Sequence, residues 1–322
     1  MKTIALFDPV RQELEGVERK IHQAIQTENE QLSDIARSLF SHHGKLIRPA
    51  LVILSSGFHP AAEGQVTALA AAVEMLHTAT LVHDDLIDSA SLRRGAPTLN
   101  SQWNHSIAVL IGDYLFSRAA ALAAETGNIR VVNIFSQTLT IICDGELRQH
   151  FNRQRLPYSV DDYYRRIFAK TAALFAAATE AGAILSNAPQ SEIQALRDYG
   201  HNVGLAFQIV DDVLDLVGDE DKMGKPAGSD LRQGIITLPM LYFLSQGNDP
   251  TLIRRVIDER HRDAVSVQAA INAIRASGAI EAALAEARRF SQCAQEALQA
   301  LPPNQNRQIL FDLADFITKR DH

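Results

Sequence analysis

The chain has 322 residues, of which 38 are acidic and 31 are basic, so its formal net charge is −7. No segment rich in Lys and Arg accompanies this acidic balance, which argues against nucleic acid as a partner. The sequence has no window of about 20 uninterrupted apolar residues, and its first ten residues lack a basic segment followed by an apolar run. We therefore expect neither a transmembrane segment nor a signal peptide, and we expect a cytoplasmic protein.

The composition predicts helices rather than strands. Hydrophobic residues make up 46% of the chain and aromatic residues only 6%, and alanine-rich runs occur at 68–72 and 119–124. No linker rich in Pro, Gly or Ser divides the sequence, so we expect an all-α fold with one large domain over residues 1–322. Cys143 and Cys293 lack the spacing of metal ligands, and we expect both to be buried thiols.

Apolar residues at helical spacing predict a series of helices, with shorter helices after residue 245. The predicted ranges are 9–26, 49–57, 61–88, 106–125, 129–150, 160–185, 191–217 and 237–245. Breaks fall at 42–44, 94–97 and 187–189, and a long polar loop occupies 218–234. Irregular segments of that length are usually functional, so we expect this loop to act as a lid.

Two copies of one acidic pentad interrupt the predicted apolar helices. They are Asp84-Asp85-Leu86-Ile87-Asp88 and Asp211-Asp212-Val213-Leu214-Asp215. The first and fifth residues of such a pentad lie on one helix face, one turn apart, and form a carboxylate pair. Like charges at that spacing repel each other, and divalent cations would offset the repulsion. Because the ligands are all oxygen atoms, Mg²⁺ is favoured over zinc.

A solvated acidic face is the alternative explanation for either pentad. The flanking segments 78–83 and 204–210 are too apolar for a fully exposed face. We therefore expect the aspartates to line a cavity with hydrophobic walls. Such a cavity suits an amphiphilic ligand.

Basic residues near the pentads suggest a site for phosphate groups. Lys45 and Arg48 lie in a turn before a helix predicted to begin at Pro49, where backbone N–H groups favour an anion. Arg93 and Arg94 follow the first pentad closely, and arginine suits binding of phosphate through two parallel hydrogen bonds.

Other candidates have simpler alternative explanations. Lys170 and Thr171 begin an apolar stretch, and Lys225 lies in the predicted lid, but either lysine could be an ordinary surface cation. His77 lies about two turns before Asp84 on the same helix face, although a structural core histidine would also explain it.

Eight short motifs occur in a fixed order along the chain. They are Gly44-Lys45-x-x-Arg48-Pro49, Glu74-Met75-Leu76-His77, His83-Asp84-Asp85-x-x-Asp88, Arg93-Arg94-Gly95, Gly112-Asp113, Lys170-Thr171, Phe207-Gln208-x-x-Asp211-Asp212-x-x-Asp215 and Gly224-Lys225-Pro226. In this order they resemble the trans-isoprenyl diphosphate synthases. Over nearly its whole length the chain is similar to the long-chain polyprenyl members of bacterial quinone biosynthesis, such as the catalytic subunits of heptaprenyl and octaprenyl diphosphate synthases.

The resemblance implies a helical bundle of the isoprenoid synthase type around a central cavity, and it implies a reaction. An allylic diphosphate condenses head-to-tail with isopentenyl diphosphate, adds five carbons and releases diphosphate. Cleavage of the carbon–oxygen bond leaves an allylic cation and a more negative diphosphate, so electrostatic stabilisation of the leaving group drives the rate. The departing diphosphate is the proton acceptor that the resemblance implies, and no side chain is assigned as general base.

The resemblance also implies a role for each candidate residue. Three Mg²⁺ ions are expected, with ligands Asp84, Asp88 and Asp211, and the other catalytic aspartates that complete the metal and water shell are Asp85, Asp212 and Asp215. The residues implied for the allylic diphosphate are Arg93, Lys170, Thr171, Gln208 and Lys225. Those implied for isopentenyl diphosphate are Lys45, Arg48, His77 and Arg94.

Two positions depart from the family pattern. The usual Gly-Gly-Lys-Arg run is His43-Gly44-Lys45-Leu46 here, and Ile235 replaces the lysine commonly found before Ile236-Thr237. We expect weaker binding of the allylic diphosphate as a result of Ile235.

Ala79 and Thr80 occupy the fifth and fourth positions before Asp84, where short-chain members carry bulky aromatic residues. Small side chains there leave the pocket open toward Leu76 and the alanine run at 70–72. With a rise of about 1.5 Å per helical residue, the tunnel can continue for several turns, and we expect a product of about thirty carbons or more.

Family members form dimers, and the apolar helix over 106–125 is the expected subunit interface. A homodimer is expected, while a heteromer with a small subunit stays open. Three alternative functions also remain: a medium-chain geranylgeranyl or farnesyl diphosphate synthase, a class I terpene cyclase, and a non-catalytic subunit that binds prenyl diphosphates. The six pentad aspartates together with Lys45, Arg48 and Arg94 argue against the last two.

Overall fold

The structure, a computed structural model, describes residues 5–41, 45–93, 96–152, 159–218, 227–257 and 263–319. Helices form nearly all of the regular structure in these residues, as the composition predicts. They are α1 Arg11–Ala24, α2 Glu30–Ser41, α3 Ile47–Ser56, α4 Glu63–Ile87, α5 Leu99–Gln102, α6 His105–Glu125, α7 Ile129–Asn152, α8 Val160–Ile167, α9 Ala173–Leu185, α10 Gln190–Val217, α11 Ser229–Arg232, α12 Leu238–Ser245, α13 Thr251–Ile257, α14 Ala264–Ala276, α15 Ala279–Ala297 and α16 Gln305–Lys319. Short 3-10 turns, Asp8–Val10 and Leu298–Ala300, precede α1 and follow α15.

Local sequence signals determine several helix ends. The Asn104 side chain begins α6 by accepting a hydrogen bond from the Ile107 N–H at 2.9 Å. Ser159 begins α8 with a capping box, in which its hydroxyl accepts the Asp162 N–H and the Asp162 carboxylate accepts the Ser159 N–H. These caps satisfy backbone donors that helix geometry leaves without a partner inside the helix.

The Cα positions cluster into two compact units, and the two pentads belong to different units. The first unit comprises Met1–Thr138, Leu174–Gly200 and Ala297–Leu313, and the second comprises Leu139–Ala173, His201–Glu296 and Ala314–His322. The expectation of one domain over residues 1–322 stays a prediction.

In the first unit, α4 packs against α1, α3 and α6. Its buried face includes the alanine run Ala70, Ala71 and Ala72, all fully buried. Small side chains allow neighbouring helices to approach closely, so this run contributes to dense packing around the middle of α4. The packing fixes the direction in which α4 carries the first pentad.

In the second unit, the C-terminal part of α10 carries the second pentad. Arg275, from α14, donates hydrogen bonds to the Leu216 carbonyl, at 2.7 Å from Nε. This carbonyl lies in the last turn of α10, where helix carbonyls have no partner within the helix. Arg275 therefore fixes the end of the helix that holds the second pentad.

The structure differs from the sequence predictions in several places. The short helices Leu99–Gln102 and Ser229–Arg232 were not predicted, and the second lies inside the predicted loop at 218–234. The helix Glu30–Ser41 lies outside the predicted ranges, and the predicted helix at 160–185 is divided by a π-helical segment, Phe168–Ala172. A short antiparallel ladder pairs Leu92–Arg93 with Ala96–Pro97, at the break predicted after the first pentad. Cys143 is exposed, so the prediction of two buried thiols is wrong.

Three described stretches are long and apolar enough to cross a membrane by length and composition: Glu63–Ile87, His105–Glu125 and Val160–Leu185. The most apolar windows of the first and third are 61% and 83% buried inside the protein, so their hydrophobicity serves packing. The window in His105–Glu125 is only 39% buried, which leaves much of its apolar surface on the outside of the chain.

Candidate active site

The first pentad lies at the C-terminal end of α4. The helix ends at Ile87, and the N–H of the C-cap residue Asp88 donates to the Asp84 carbonyl at 2.9 Å. The C-terminal end of a helix carries partial negative charge, so carboxylates there are unfavourable unless a cation lies nearby. This location adds a structural reason to expect cation binding at the pentad.

The aspartates of the first pentad differ in exposure. Asp85 is buried, and Arg93 Nε donates to both of its carboxylate oxygens at 2.9 and 2.8 Å, while Arg93 Nη2 lies 2.8 Å from Oδ1. Asp84 and Asp88 are partly exposed. The chain turns at Ser89, whose φ is 51°, and this turn lets the following segment bring Arg93 back to Asp85. The Asp85 carboxylate thus anchors the segment after the helix, and its place in the metal and water shell stays a prediction.

A small apolar cavity lies beside α4 below the first pentad. Its lining residues come from three helices of the first unit: Leu69, Val73 and Leu76 from α4, Val131, Ile134, Phe135 and Thr138 from α7, and Leu174, Ala177 and Ala181 from α9. Ala79 is fully buried, and Thr80 donates its hydroxyl to the His77 carbonyl at 2.7 Å. The hydrophobic wall predicted beneath the aspartates is therefore present.

Of the predicted isopentenyl diphosphate residues, Lys45 and Arg48 lie at the start of α3 and His77 lies in α4. Helix α3 begins at Ile47, so Pro49 is its third residue rather than its first, and Leu46 before it has a left-handed φ of 47°. The Arg48 guanidinium lies 4.9 Å from the centre of the Phe175 ring, a cation–π distance that holds the side chain in place. Lys45 and His77 are partly exposed, and Arg94 lies outside the described residues.

The second pentad shows the same division between exposed and buried aspartates. Asp211 is exposed, whereas Asp212 and Asp215 are buried. The Asp215 carboxylate accepts the Asp230 N–H at 3.1 Å, and its backbone carbonyl accepts the Gly228 N–H at 2.7 Å. Asp215 therefore holds the start of α11 through the protein backbone, and its role in the metal and water shell stays a prediction.

Both oxygens of the Asp212 carboxylate accept hydrogen bonds from protein side chains. The Tyr163 hydroxyl donates to Oδ2 and the Gln208 amide donates to Oδ1, each at 2.8 Å. Burial raises the pKa of Asp212 to about 6, although Arg166 and the two hydrogen bonds favour the charged form. Burial also raises the pKa of Tyr163 well above its ordinary value, which keeps the hydroxyl a donor. Asp212 is thus a buried acceptor of two hydrogen bonds, and its place in the metal and water shell stays a prediction.

Lys170 and Thr171 lie in the π-helical segment Phe168–Ala172. Single π-helical turns inside α-helices occur often at functional sites, because the extra residue redirects side chains. Thr171 donates its hydroxyl to the Gln208 side-chain oxygen at 2.6 Å, and Lys170 Nζ lies 3.9 Å from the Glu146 carboxylate. The structure thus brings together Lys170, Thr171 and Gln208, three of the residues predicted to hold the allylic diphosphate.

The sequence analysis missed Gly145, Glu146 and Tyr163. A Cβ atom at Gly145 would lie 2.4 Å from the Ala169 Cβ, so only glycine allows α7 to approach the π-helical segment this closely. No short motif marks Tyr163, although its position seven residues before Lys170 could have drawn attention to it. Lys225 and part of the predicted lid, 219–226, lie outside the described residues, and the lid stays a prediction.

The six pentad aspartates form two groups. The partly or fully exposed group is Asp84, Asp88 and Asp211. The buried group, in which protein donors bind each carboxylate, is Asp85, Asp212 and Asp215. Among the described residues, no cluster of three His, Cys, Asp or Glu side chains forms a ready metal site. Mg²⁺ usually binds one or two carboxylates together with phosphate oxygens and water, and the exposed group offers donors of that kind.

Comparison with known proteins supports the same chemistry. The family model described as Polyprenyl synthetase matches residues 29–274. The chain is 40% identical over 322 residues, 100% of both chains, to heptaprenyl diphosphate synthase component 2 of Geobacillus stearothermophilus. A solved polyprenyl synthase from Caulobacter crescentus CB15, complexed with calcium and isoprenyl diphosphate, matches with a TM-score of 0.95 and 36% identity over 99% of this chain and 98% of that one. A decaprenyl diphosphate synthase from Rhodobacter capsulatus matches with a TM-score of 0.92 and 35% identity over 99% of each chain.

The chain belongs to the polyprenyl synthetase family. It has the all-α isoprenoid synthase fold and is a prenyltransferase, a polyprenyl diphosphate synthase. The sequence predictions of family, fold class and activity are confirmed. The terpene cyclase and the non-catalytic binding subunit are not favoured, because the matching proteins are synthases.

Proposed function

We propose that the chain extends an allylic diphosphate with isopentenyl diphosphate units to a long-chain all-trans polyprenyl diphosphate. The observation that carries this proposal is the apolar cavity on the face of α4 below the first pentad. Its α4 residues, Leu76 to Leu69, lie eight to fifteen positions before Asp84, which corresponds to about 12 to 22 Å along the helix axis. A growing chain that enters between small residues such as Ala79 can lengthen in that direction. The expected product of about thirty carbons or more would require this small cavity to open further along α4.

The exposed aspartates are the proposed metal ligands. Asp84, Asp88 and Asp211 would hold three Mg²⁺ ions, which supply positive charge to the departing diphosphate when bound. The relative from Caulobacter crescentus, crystallised with calcium and isoprenyl diphosphate, supports a divalent cation at such a site. Asp85, Asp212 and Asp215 position neighbouring side chains and backbone through their hydrogen bonds.

Basic and polar side chains of each unit complete the proposed binding of the two diphosphates. For the allylic diphosphate these are Arg93, Lys170, Thr171, Gln208 and Lys225. For isopentenyl diphosphate they are Lys45, Arg48, His77 and Arg94. Lys170 supports this assignment because the 3.9 Å separation from Glu146 makes a weak ion pair, which a more highly charged diphosphate can replace.

Formation of the carbon–carbon bond and loss of the proton require a site that excludes water, and they require no further side chain as a base. The double bond of isopentenyl diphosphate attacks the allylic cation, and the released diphosphate accepts the proton that is then lost. Water would quench the cation, so closure of the predicted lid at 218–234 would protect the intermediate. The apolar lining of the cavity excludes water in the same way.

We further propose a cytoplasmic homodimer that uses α6. The most apolar window of this helix has a mean hydropathy of 1.5 but is only 39% buried, and Leu110 is 62% exposed. A second copy of the chain would cover this surface in a two-fold interface. The relative from Geobacillus stearothermophilus is named component 2, so a heteromer with a small subunit is the alternative.

One assay tests the proposed function. The purified chain is incubated alone with Mg²⁺, farnesyl diphosphate and labelled isopentenyl diphosphate, and the products are sized by chromatography. We expect labelled linear polyprenyl diphosphates of about thirty carbons or more. Products of fifteen or twenty carbons would support a medium-chain synthase, cyclic hydrocarbons would support a cyclase, and no incorporation would support an obligate heteromer.

A further inference from the structure

Tyr163 occupies an unusual place for a polar side chain. It lies in α8, is fully buried, and points its hydroxyl at the Asp212 carboxylate at 2.8 Å. A buried phenol needs a hydrogen-bond partner. Because the partner of Tyr163 is the pentad residue Asp212, this hydrogen bond connects α8 to the candidate active site. We infer that Tyr163 is a positioning residue for the allylic diphosphate, acting through Asp212 and Gln208. This inference rests on the proposed function.

The hydrogen bonds that connect Tyr163 to Thr171 have a fixed donor and acceptor at each step, and two of them converge on the Asp212 carboxylate. An ionised carboxylate can only accept hydrogen bonds, so the Gln208 group that faces Asp212 at 2.8 Å must be the amide nitrogen. The Gln208 oxygen then faces Thr171, whose hydroxyl donates to it at 2.6 Å. Tyr163 thereby fixes Asp212, Asp212 fixes the rotamer of the Gln208 amide, and Gln208 fixes Thr171.

Because the Asp212 carboxylate is buried, the hydrogen bonds described above depend on the Tyr163 hydroxyl. Asp212 is only 3% exposed, so water cannot readily replace a lost donor on its carboxylate. Arg166 supports Tyr163 from another direction, since its guanidinium lies 5.4 Å from the Tyr163 ring and donates to the Ile236 carbonyl at 2.8 Å. Without the Tyr163 hydroxyl, the Asp212 carboxylate would turn toward other donors and move the Gln208 amide with it.

The primary test is the variant Tyr163→Phe, which keeps the buried ring and removes only the hydroxyl. We expect the KM for the allylic diphosphate to rise about fivefold, the factor that corresponds to one net hydrogen bond. The KM for isopentenyl diphosphate should stay unchanged, because the residues proposed to bind it are not part of this series of hydrogen bonds. Both constants are measured from initial rates of labelled product.

A matched control is Tyr199→Phe. Tyr199 is also fully buried, and its hydroxyl donates to the Leu310 carbonyl at 2.6 Å, away from any proposed substrate contact. Both variants should lower Tm, since each loses one buried hydrogen bond. Only Tyr163→Phe should change the allylic KM.

Two further variants separate positioning from a purely structural role. In a Gln208→Ala background, Tyr163→Phe should cause no further rise in the allylic KM, because the residue through which it acts is gone. Asp212→Asn keeps an oxygen for Tyr163 and removes the buried charge, but it presents an amide to Gln208. It should therefore raise the allylic KM while Tyr163 is intact.

The inference is overturned if Tyr163→Phe leaves the allylic KM unchanged, raises both substrate constants equally, or adds fully to Gln208→Ala. A wild-type chain that makes cyclic hydrocarbons or only medium-chain products in the same assay would instead contradict the proposed function. The two failures are therefore distinguishable.

Discussion

The aspartates of the two pentads have the same side chain but differ in exposure and hydrogen bonding, because different residues surround them. Asp212, buried between the Tyr163 hydroxyl and the Gln208 amide, is occupied by protein donors, while its neighbour Asp211 is exposed. Sequence spacing identifies which aspartates share a helix face, but exposure depends on the helices packed around them. The spacing pairs Asp211 with Asp215, yet only Asp211 is exposed, so the pairing did not predict which carboxylates are accessible.

We propose that product length depends on residues one to four turns before Asp84. Thr80 lies on the same face of α4 as the cavity residues Leu76, Val73 and Leu69, at offsets of four, seven and eleven residues. We expect Thr80→Phe to block the tunnel and shorten the main product, as measured by chromatography of labelled products. Ala79→Phe should also shorten it, but less, because successive helical residues are rotated by about 100°.

Thr78→Phe is the matched control for this prediction. Thr78 is on the same helix, but it is rotated by about 160° from Thr80, away from the cavity face. This variant should keep the wild-type product profile. An unchanged profile in Thr80→Phe, or equal shortening in all three variants, would contradict the proposed tunnel.

At the scale of elements, helices were predictable and their interruptions were not. Alanine-rich and apolar periodic stretches predicted α4, α6 and α10 to within a few residues. The π-helical segment Phe168–Ala172 was not predicted, because one additional residue in a turn leaves the apolar pattern of 160–185 nearly intact. The helix Glu30–Ser41 was missed because it is short and carries several polar residues.

Gly145 provides a test of what the π-helical segment does. A Cβ at this position would lie 2.4 Å from the Ala169 Cβ, so Gly145→Ala must displace the segment that carries Lys170 and Thr171. We expect the allylic KM to rise at least as much as in Tyr163→Phe, and we expect a lower Tm. Initial rates and thermal unfolding measure the two effects.

Gly16→Ala in α1 is the matched control. A Cβ there would meet only the end of the flexible Arg19 side chain, at 3.7 Å. Because alanine favours helix over glycine, this variant should gain about 0.5–1 kcal/mol in stability with unchanged KM values. If Gly145→Ala behaved in the same way, the close approach of α7 to the π-helical segment would have no role in binding.

At the scale of the whole molecule, the exposed apolar side chains of α6 are the basis of the proposed homodimer. Light scattering should give twice the mass of one chain for the wild-type protein. Leu110→Lys places a charge on a side chain that is 62% exposed in the single chain, and it should shift the protein toward monomers because burying an unpaired lysine is costly.

The control for this prediction is Val265→Lys, at a side chain in α14 that is 79% exposed. It should leave the mass unchanged. A monomeric wild-type chain would contradict the proposed homodimer, and a dimer unaffected by Leu110→Lys would place the interface elsewhere.

The sequence predicted the chemistry of the site more fully than its geometry. Both pentads, Lys170, Thr171 and Gln208 were found from motifs, because each chemical task restricts the residue type at a fixed spacing. Tyr163 and Gly145 could not be found in this way, since their importance depends on contacts between segments distant in sequence. The ion pair between Arg93 and Asp85 was likewise not predicted, because it depends on the turn at Ser89.

The division of the six aspartates is most directly tested by the Mg²⁺ concentration that gives half-maximal elongation rate in each Asp→Asn variant. We predict a rise of about tenfold or more for the exposed group, Asp84, Asp88 and Asp211, because these are the proposed ligands. For the buried group, Asp85, Asp212 and Asp215, we predict an unchanged Mg²⁺ requirement, with a raised allylic KM or a lower Tm instead. Equal rises in all six variants, or rises confined to the buried group, would contradict the account.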